Sequence, residues 1–143
     1  MPTSNEQLHA TVHAILAHQV RAQADAIEGM LAAWVGIDAK FASVIGPSGV
    51  RLIYIRSIDA ARHAFPWLAA AVPPGEDAGA AALAPLAAAL RKHAPLAATA
   101  NDVLLDHFID LLATLIGARL TMQILRSAFP DACPTENSEE NQE

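Results

Sequence analysis

Histidine pairs are the first place to look for chemistry in this chain. His9 and His13 stand four residues apart, so on a helix they share one face. Such a pair can grip a metal ion from one side. The hydrolytic zinc pattern places Glu directly after the first His, and here Ala10 stands there. The pair therefore reads as ordinary helix histidines, and no metal site is expected. His63, His93 and His107 raise the question of a phosphoryl-accepting imidazole. His107 follows Asp106 and precedes Asp110 by three residues, and carboxylates repel a phosphoryl group. His93 follows Arg91-Lys92 but runs into Ala94-Pro95. Surface or turn positions suit all three.

Nucleophilic chemistry has less support. Cys133 is the single cysteine, set in a polar tail, so it reads as an incidental thiol and forms no intramolecular disulfide. Ser43, Ser48, Ser57 and Ser127 lack the Gly-x-Ser-x-Gly elbow. Gly46-Pro47-Ser48-Gly49 invites a phosphate-loop reading, but the loop continues into Val50-Arg51 where Gly-Lys-Ser/Thr is needed. It reads as a helix–helix turn. Asp106 and Asp110 read as a solvated helix face near an N-terminus. No catalytic residue, metal or cofactor is expected.

The arginines point elsewhere. A stripe of Leu105, Phe108, Leu112, Leu115, Arg119, Met122, Arg126 and Phe129 alternates steps of three and four. Two arginines on an apolar stripe suggest an interface or an anion pocket, since guanidinium forks suit carboxylate and phosphate. Arg51, Tyr54 and Arg56 lie on an earlier helix expected beside this one. The five residues Arg51, Tyr54, Arg56, Arg119 and Arg126 are therefore the candidate interaction or ligand-binding set. Snorkelling stems, or pairing with Asp59 or Glu28, are the plainer alternative.

These side chains need elements to hold them. Residues 101–129 read as one helix, capped by Asn101 with Asp102 in the first turn and stopped by Pro130. At 1.5 Å per residue it would be about 42 Å long. A compact chain of this length is only roughly 37 Å across. Either Gly117 bends the helix or it extends into a partner. Earlier, Ser4 with Gln7 or Thr3 with Glu6 opens a helix carrying Leu8, Val12, Ile15, Leu16, Val20, Ile27 and Leu31. Gly36 ends or bends it, and Asp38 can cap a short helix reaching Ile45. A helical pattern from Val50 to Phe65 ends at Pro66. Pro73-Pro74-Gly75 opens a loop. Residues 80–93 form an alanine-rich helix with Pro85 in its first turn, and Pro95 sets off a short segment 96–100. The stretches around Ile45-Gly46 and Ile116-Gly117 echo each other, but Arg51 and Arg119 fall at different spacings, so no repeat is inferred.

Segments 44–68 and 108–129 resemble a family of small bacterial helical proteins without an assigned activity. The residues that carry the likeness are Ile45-Gly46-x-x-Gly49-Val50, Tyr54-x-Arg56-Ser57 and Phe65-Pro66-Trp67-Leu68. In the second segment they are Leu111 to Gly117, Leu120-Thr121 and Leu125-Arg126-Ser127. Gln123 and Phe129 depart from the pattern in helix positions. The resemblance implies a bacterial, cytoplasmic, signalling-associated protein and supplies no catalytic residue.

Composition sets the outer bounds. The 143 residues suffice for one domain, and alanine and leucine favour helix. The net charge of −6 comes mostly from Asp131, Glu136, Glu139, Glu140 and Glu143. The body is nearly neutral, which argues against nucleic-acid binding. No apolar run is long enough to span a bilayer, and no signal peptide is visible. The expectation is an all-α helical bundle of about five helices over residues 1–130, with a long C-terminal helix and a disordered acidic tail at 131–143. The expected function is a non-enzymatic regulatory or protein-interaction module in the cytoplasm. It would form a homodimer through the long helix or engage a protein partner in signalling. The alternative is a small-molecule sensor with an interhelical pocket lined by Tyr54 and the arginines.

Overall fold

The computed structural model describes residues 4–73 and 82–132. Those residues form six α-helices and one 3-10 helix: α1 Ser4–Ala22, α2 Ala26–Ile45, α3 Pro47–Ala61, the 3-10 helix Pro66–Ala71, α4 Ala84–Lys92, α5 Ala94–Ile116 and α6 Ala118–Ala128. The fold is all-α, with more helices than the expected five. Cys133, the glutamates of the tail and the loop from Pro74 lie outside the described residues.

Each additional break has a local cause. The first helix stops at Ala22, and Asp25 starts α2 by accepting the Ile27 N–H at 3.0 Å. Arg91 of α4 holds the second oxygen of Asp25 at 2.8 Å. Its guanidinium, with the Ile27 amide, keeps that carboxyl below the ordinary aspartate range. Gly36 neither ends nor bends α2 into a new element, and Asp38 sits inside α2 rather than capping a helix of its own. Gly29 and Gly36 instead mark close approaches. A Cβ on Gly29 would stand 2.5 Å from Val20 Cα of α1, and one on Gly36 would stand 2.6 Å from the Phe129 ring.

The expected helix 101–129 is two helices. α5 begins at Ala94 with Pro95 in its first turn, where a missing N–H is harmless. The supposed separate segment 96–100 is its beginning. Asn101 is therefore not a cap. It lies inside α5, fully buried, and its Oδ1 accepts the Trp34 indole N–H at 2.8 Å. At the other end, Gly117 adopts φ 94°, ψ 148° and closes α5. That conformation is nearly restricted to glycine.

Gly46 does the same between α2 and α3, at φ 87°, ψ 154°. The hydrogen bonds match as well. Gly46 N–H donates to Ala42 O at 2.9 Å and Val50 N–H to Gly46 O at 3.1 Å. Gly117 N–H donates to Ala113 O at 2.9 Å and Thr121 N–H to Gly117 O at 3.1 Å. Aligning the two glycines pairs Trp34 with Leu105, Ile37 with Phe108, Phe41 with Leu112, Val50 with Thr121, Ile53 with Ile124 and Tyr54 with Leu125. All twelve are buried. The chain thus contains one helix–glycine–helix unit twice. The units clasp, with α3 on α5 and α2 on α6, a pairing scheme of local two-fold form. The arginine spacings differ because those side chains lie off the shared buried face.

Trp34 sits at the centre of the core. Tyr54 of α3 and Phe108 of α5 meet it edge-on, at centroid distances of 5.4 and 5.1 Å. α1 lies across α2, α5 and α6, burying Leu8, Val12 and Ile15 completely. Trp67 stacks on His93 at 4.3 Å, tying the 3-10 helix to the corner between α4 and α5.

Candidate functional site

The two histidines of α1 have partners on α5. His9 Nε2 lies 2.7 Å from Asp110 Oδ1, and His13 Nε2 lies 3.0 Å from Asp106 Oδ1. Both helices repeat their polar residue every four positions, so the pairs stack as rungs. Asp102 continues the acidic row. Its carboxyl is pushed up, chiefly by burial and also by Asp106, with His13 acting the other way. Asp106 and Asp110 lie mid-helix in α5, partly solvated, and each meets a histidine of α1. The matched spacings of His9/His13 and Asp106/Asp110 are a signal that sequence reading can use. Among the described residues, no three His, Cys, Asp or Glu groups gather in a way that could hold a metal ion. No helix among those residues is long and apolar enough to cross a membrane.

α3 does pack beside α5, as expected, but its three candidates go separate ways. Arg51 is half-buried, with Nη2 reaching the Pro73 carbonyl at 3.5 Å. Tyr54 is 5 % exposed, and its hydroxyl has no hydrogen-bond partner among the described residues. Burial, with the Asp38 carboxylate nearby, raises the phenol far above its ordinary value. Arg56 is exposed on the outer side of α3.

The other two candidates lie on α6. Arg119 is exposed rather than buried on a stripe, and Arg126 is half-buried. The reason is Gly117. The joint resets the helical phase, so the buried positions after it are Thr121, Ile124 and Leu125. Leu115, expected on the buried stripe, lies before the joint in the last turn of α5 and is 61 % exposed. Thr121 tolerates burial because its hydroxyl donates to Gly117 O at 2.8 Å.

α6 forms a ridge between two grooves. The groove toward α1 has a volume of about 400 Å³ and is lined by Gln7, Ala118, Arg119, Met122, Gln123 and Arg126. It includes none of Arg51, Tyr54 and Arg56. The groove toward α2 has a volume of about 260 Å³. Lys40, Ser43 and Val44 line one side, and Leu120, Gln123, Ile124 and Ser127 the other. Lys40 Nζ donates to Ser127 Oγ across it at 3.3 Å. Val44 and Leu120 remain 48 % and 39 % exposed. Sequence reading finds the arginines but not Gln7 or the Val44–Leu120 pair, because both depend on which helices flank α6.

No family model, curated protein or solved structure matches the chain.

Proposed function

We propose that this protein is a non-enzymatic regulatory or protein-interaction module that self-associates through the surface around Gly117. The observation that carries the reading is Leu115, the most exposed large apolar side chain among the described residues. Leu120 lies just past the joint and shares the α2–α6 groove with Val44. Single exposed leucines are ordinary, but several at one helix junction mark a contact surface. The length of an unbroken helix no longer argues for a partner, since α5 ends at Gly117. The exposed junction takes its place.

A second copy is the partner the surface favours. Val44 and Leu115 occupy equivalent positions in the two helix–glycine–helix units, each two residues before its glycine. One copy therefore offers apolar positions like those it must meet on the other. Lys40, Ser43 and Ser127 supply the polar rim that such interfaces carry. The test is light scattering on the Leu115→Glu/Leu120→Glu double variant. Both side chains face water in the monomer, so the fold survives, and the mass should fall from dimer to monomer. A wild type that is monomeric throughout the accessible concentration range ends this reading.

A further inference from the structure

We propose that the groove between α2 and α6 is covered by the chain's own acidic segment, residues 133–143, which competes there with a second copy. The competition rests on the self-association reading and adds a regulator to that surface. The chain is aimed at the groove where α6 ends. Ala132 N–H donates to Phe129 O at 3.2 Å across Pro130 and Asp131, a turn that reverses the chain. Phe129 and Ala132 are both buried, so the turn is packed down on the body. The Phe129 ring lies against Gly36 of α2, about one helical turn before Lys40. Lys40 and Ser127 bond at that end of the groove, and Val44 and Leu120 line it further on. A chain running back from Ala132 along α6 therefore meets Lys40 first and Leu120 last.

Charge and length both fit. Residues 133–143 carry Glu136, Glu139, Glu140 and Glu143 and no Lys, Arg or His. α6 carries no acid, and the groove lining holds Lys40 and no carboxylate. Arg119 is exposed next to Leu120, in the first turn of α6, where unpaired backbone N–H groups favour negative charge. Ser127 to Leu120 spans about 10 Å of helix. An extended chain covers about 3.3 Å per residue, so Glu136 reaches Lys40, and Glu139 and Glu140 reach the Arg119 end. Such a cover is held by charge. Cys133 and Pro134 are the only apolar residues the segment can set on Val44 and Leu120, whereas a second copy brings leucine and valine. The segment therefore raises the concentration at which copies associate without abolishing association, and salt weakens its effect.

A spin label on Ser138→Cys, in a Cys133→Ser background of the full chain, tests the cover at concentrations where the chain is monomeric. Amide resonances of Val44, Leu120 and Gln123 should broaden in low salt and recover in about 0.5 M salt. Those of Ile55 and Ala69, in the groove between α3 and the 3-10 helix, should stay sharp. Sedimentation tests the competition. The full chain carrying Glu136→Gln, Glu139→Gln, Glu140→Gln and Glu143→Gln together should associate with a dissociation constant about tenfold or more below that of the wild type. The wild type should approach the same value in about 0.5 M salt, where the variant changes little. The proposal is overturned if the broadening misses the groove or survives salt, or if the Gln variant associates as the wild type does. If both chains stay monomeric, the self-association reading falls and the competition with it, while the broadening still decides whether the segment covers the groove.

Discussion

At the scale of single residues, two buried polar side chains flank Trp34. Asn101 Oδ1 holds the Trp34 indole N–H, while its Nδ2 has no partner among the described residues; removing Asn101 leaves the indole donor unmade. Asn101→Ala should destabilise the protein by about 1–3 kcal/mol in urea unfolding. The Tyr54 hydroxyl is buried without a partner among the described residues. Tyr54→Phe removes that desolvated group and keeps the ring against Trp34, so it should be neutral or stabilising by up to about 1 kcal/mol. A loss above that would mean the hydroxyl serves a partner. Asp38 supplies a pH dependence. Burial raises its carboxyl in the folded state, so the folded protein holds that proton more tightly than the unfolded chain. Its contribution therefore opposes folding above the raised value. That penalty fades as pH falls through the raised value toward the ordinary aspartate range. Asp38→Asn should raise stability at neutral pH and flatten the pH profile in that window, as read from urea midpoints between pH 4 and 7. The sequence does not disclose these roles. It marks Asn101 as a cap and Tyr54 as a site residue by type, whereas burial depends on where α5 begins and which face of α3 meets Trp34.

At the scale of elements, the two glycine joints decide the architecture. A Cβ added to either glycine would meet no neighbouring atom within 4 Å, so an alanine there encounters backbone strain alone. Gly46→Ala and Gly117→Ala should each cost about 1–3 kcal/mol, and by similar amounts, because the two conformations are nearly the same. Gly29 and Gly36 differ in kind. At Gly29 the obstacle is the α1 backbone, which cannot move aside, whereas at Gly36 it is the end of the Phe129 ring. Both gain helix propensity from alanine. Gly29→Ala should still lose about 1–3 kcal/mol from overpacking, and Gly36→Ala distinctly less. Thermal melts of the pair check the order. Helical character and the position of Pro85 in a first turn are legible in the sequence, whereas Pro47 and Pro66, read there as turn and stop, begin α3 and the 3-10 helix. The change of phase at Gly117 is not legible. A pattern of threes and fours runs through a one-residue joint without visible interruption, so it assigns Arg119 to a buried face it does not share, and it does not show that the last turn of α5 leaves Leu115 uncovered. The Asp25 cap is hidden in the same way, because the apolar pattern continues across residues 23–25.

At the scale of the whole molecule, two like units clasp through α3–α5 and α2–α6, and α1 lies across them with Leu8, Val12 and Ile15 buried and the His9–Asp110 and His13–Asp106 pairs at its edge. This arrangement leaves α6 as a ridge with a cationic groove on one side and an apolar, lysine-rimmed groove on the other. The sequence singles out Arg119 and Arg126, and the structure brings them together on one groove. It separates Arg51, Tyr54 and Arg56 from them, since pocket membership depends on neighbours that no local pattern specifies. The proposed role as an interaction module rests on Leu115 and Leu120, exposed on either side of Gly117, and on Val44, which shares a groove with Leu120. Sedimentation equilibrium of the wild type and Leu115→Glu across a wide concentration series tests that role most directly. Self-association through this surface requires a wild-type mass that rises to twice the chain mass, while the variant stays at the monomer mass. A wild type that remains monomeric, or a variant that dimerises as well as the wild type, contradicts it.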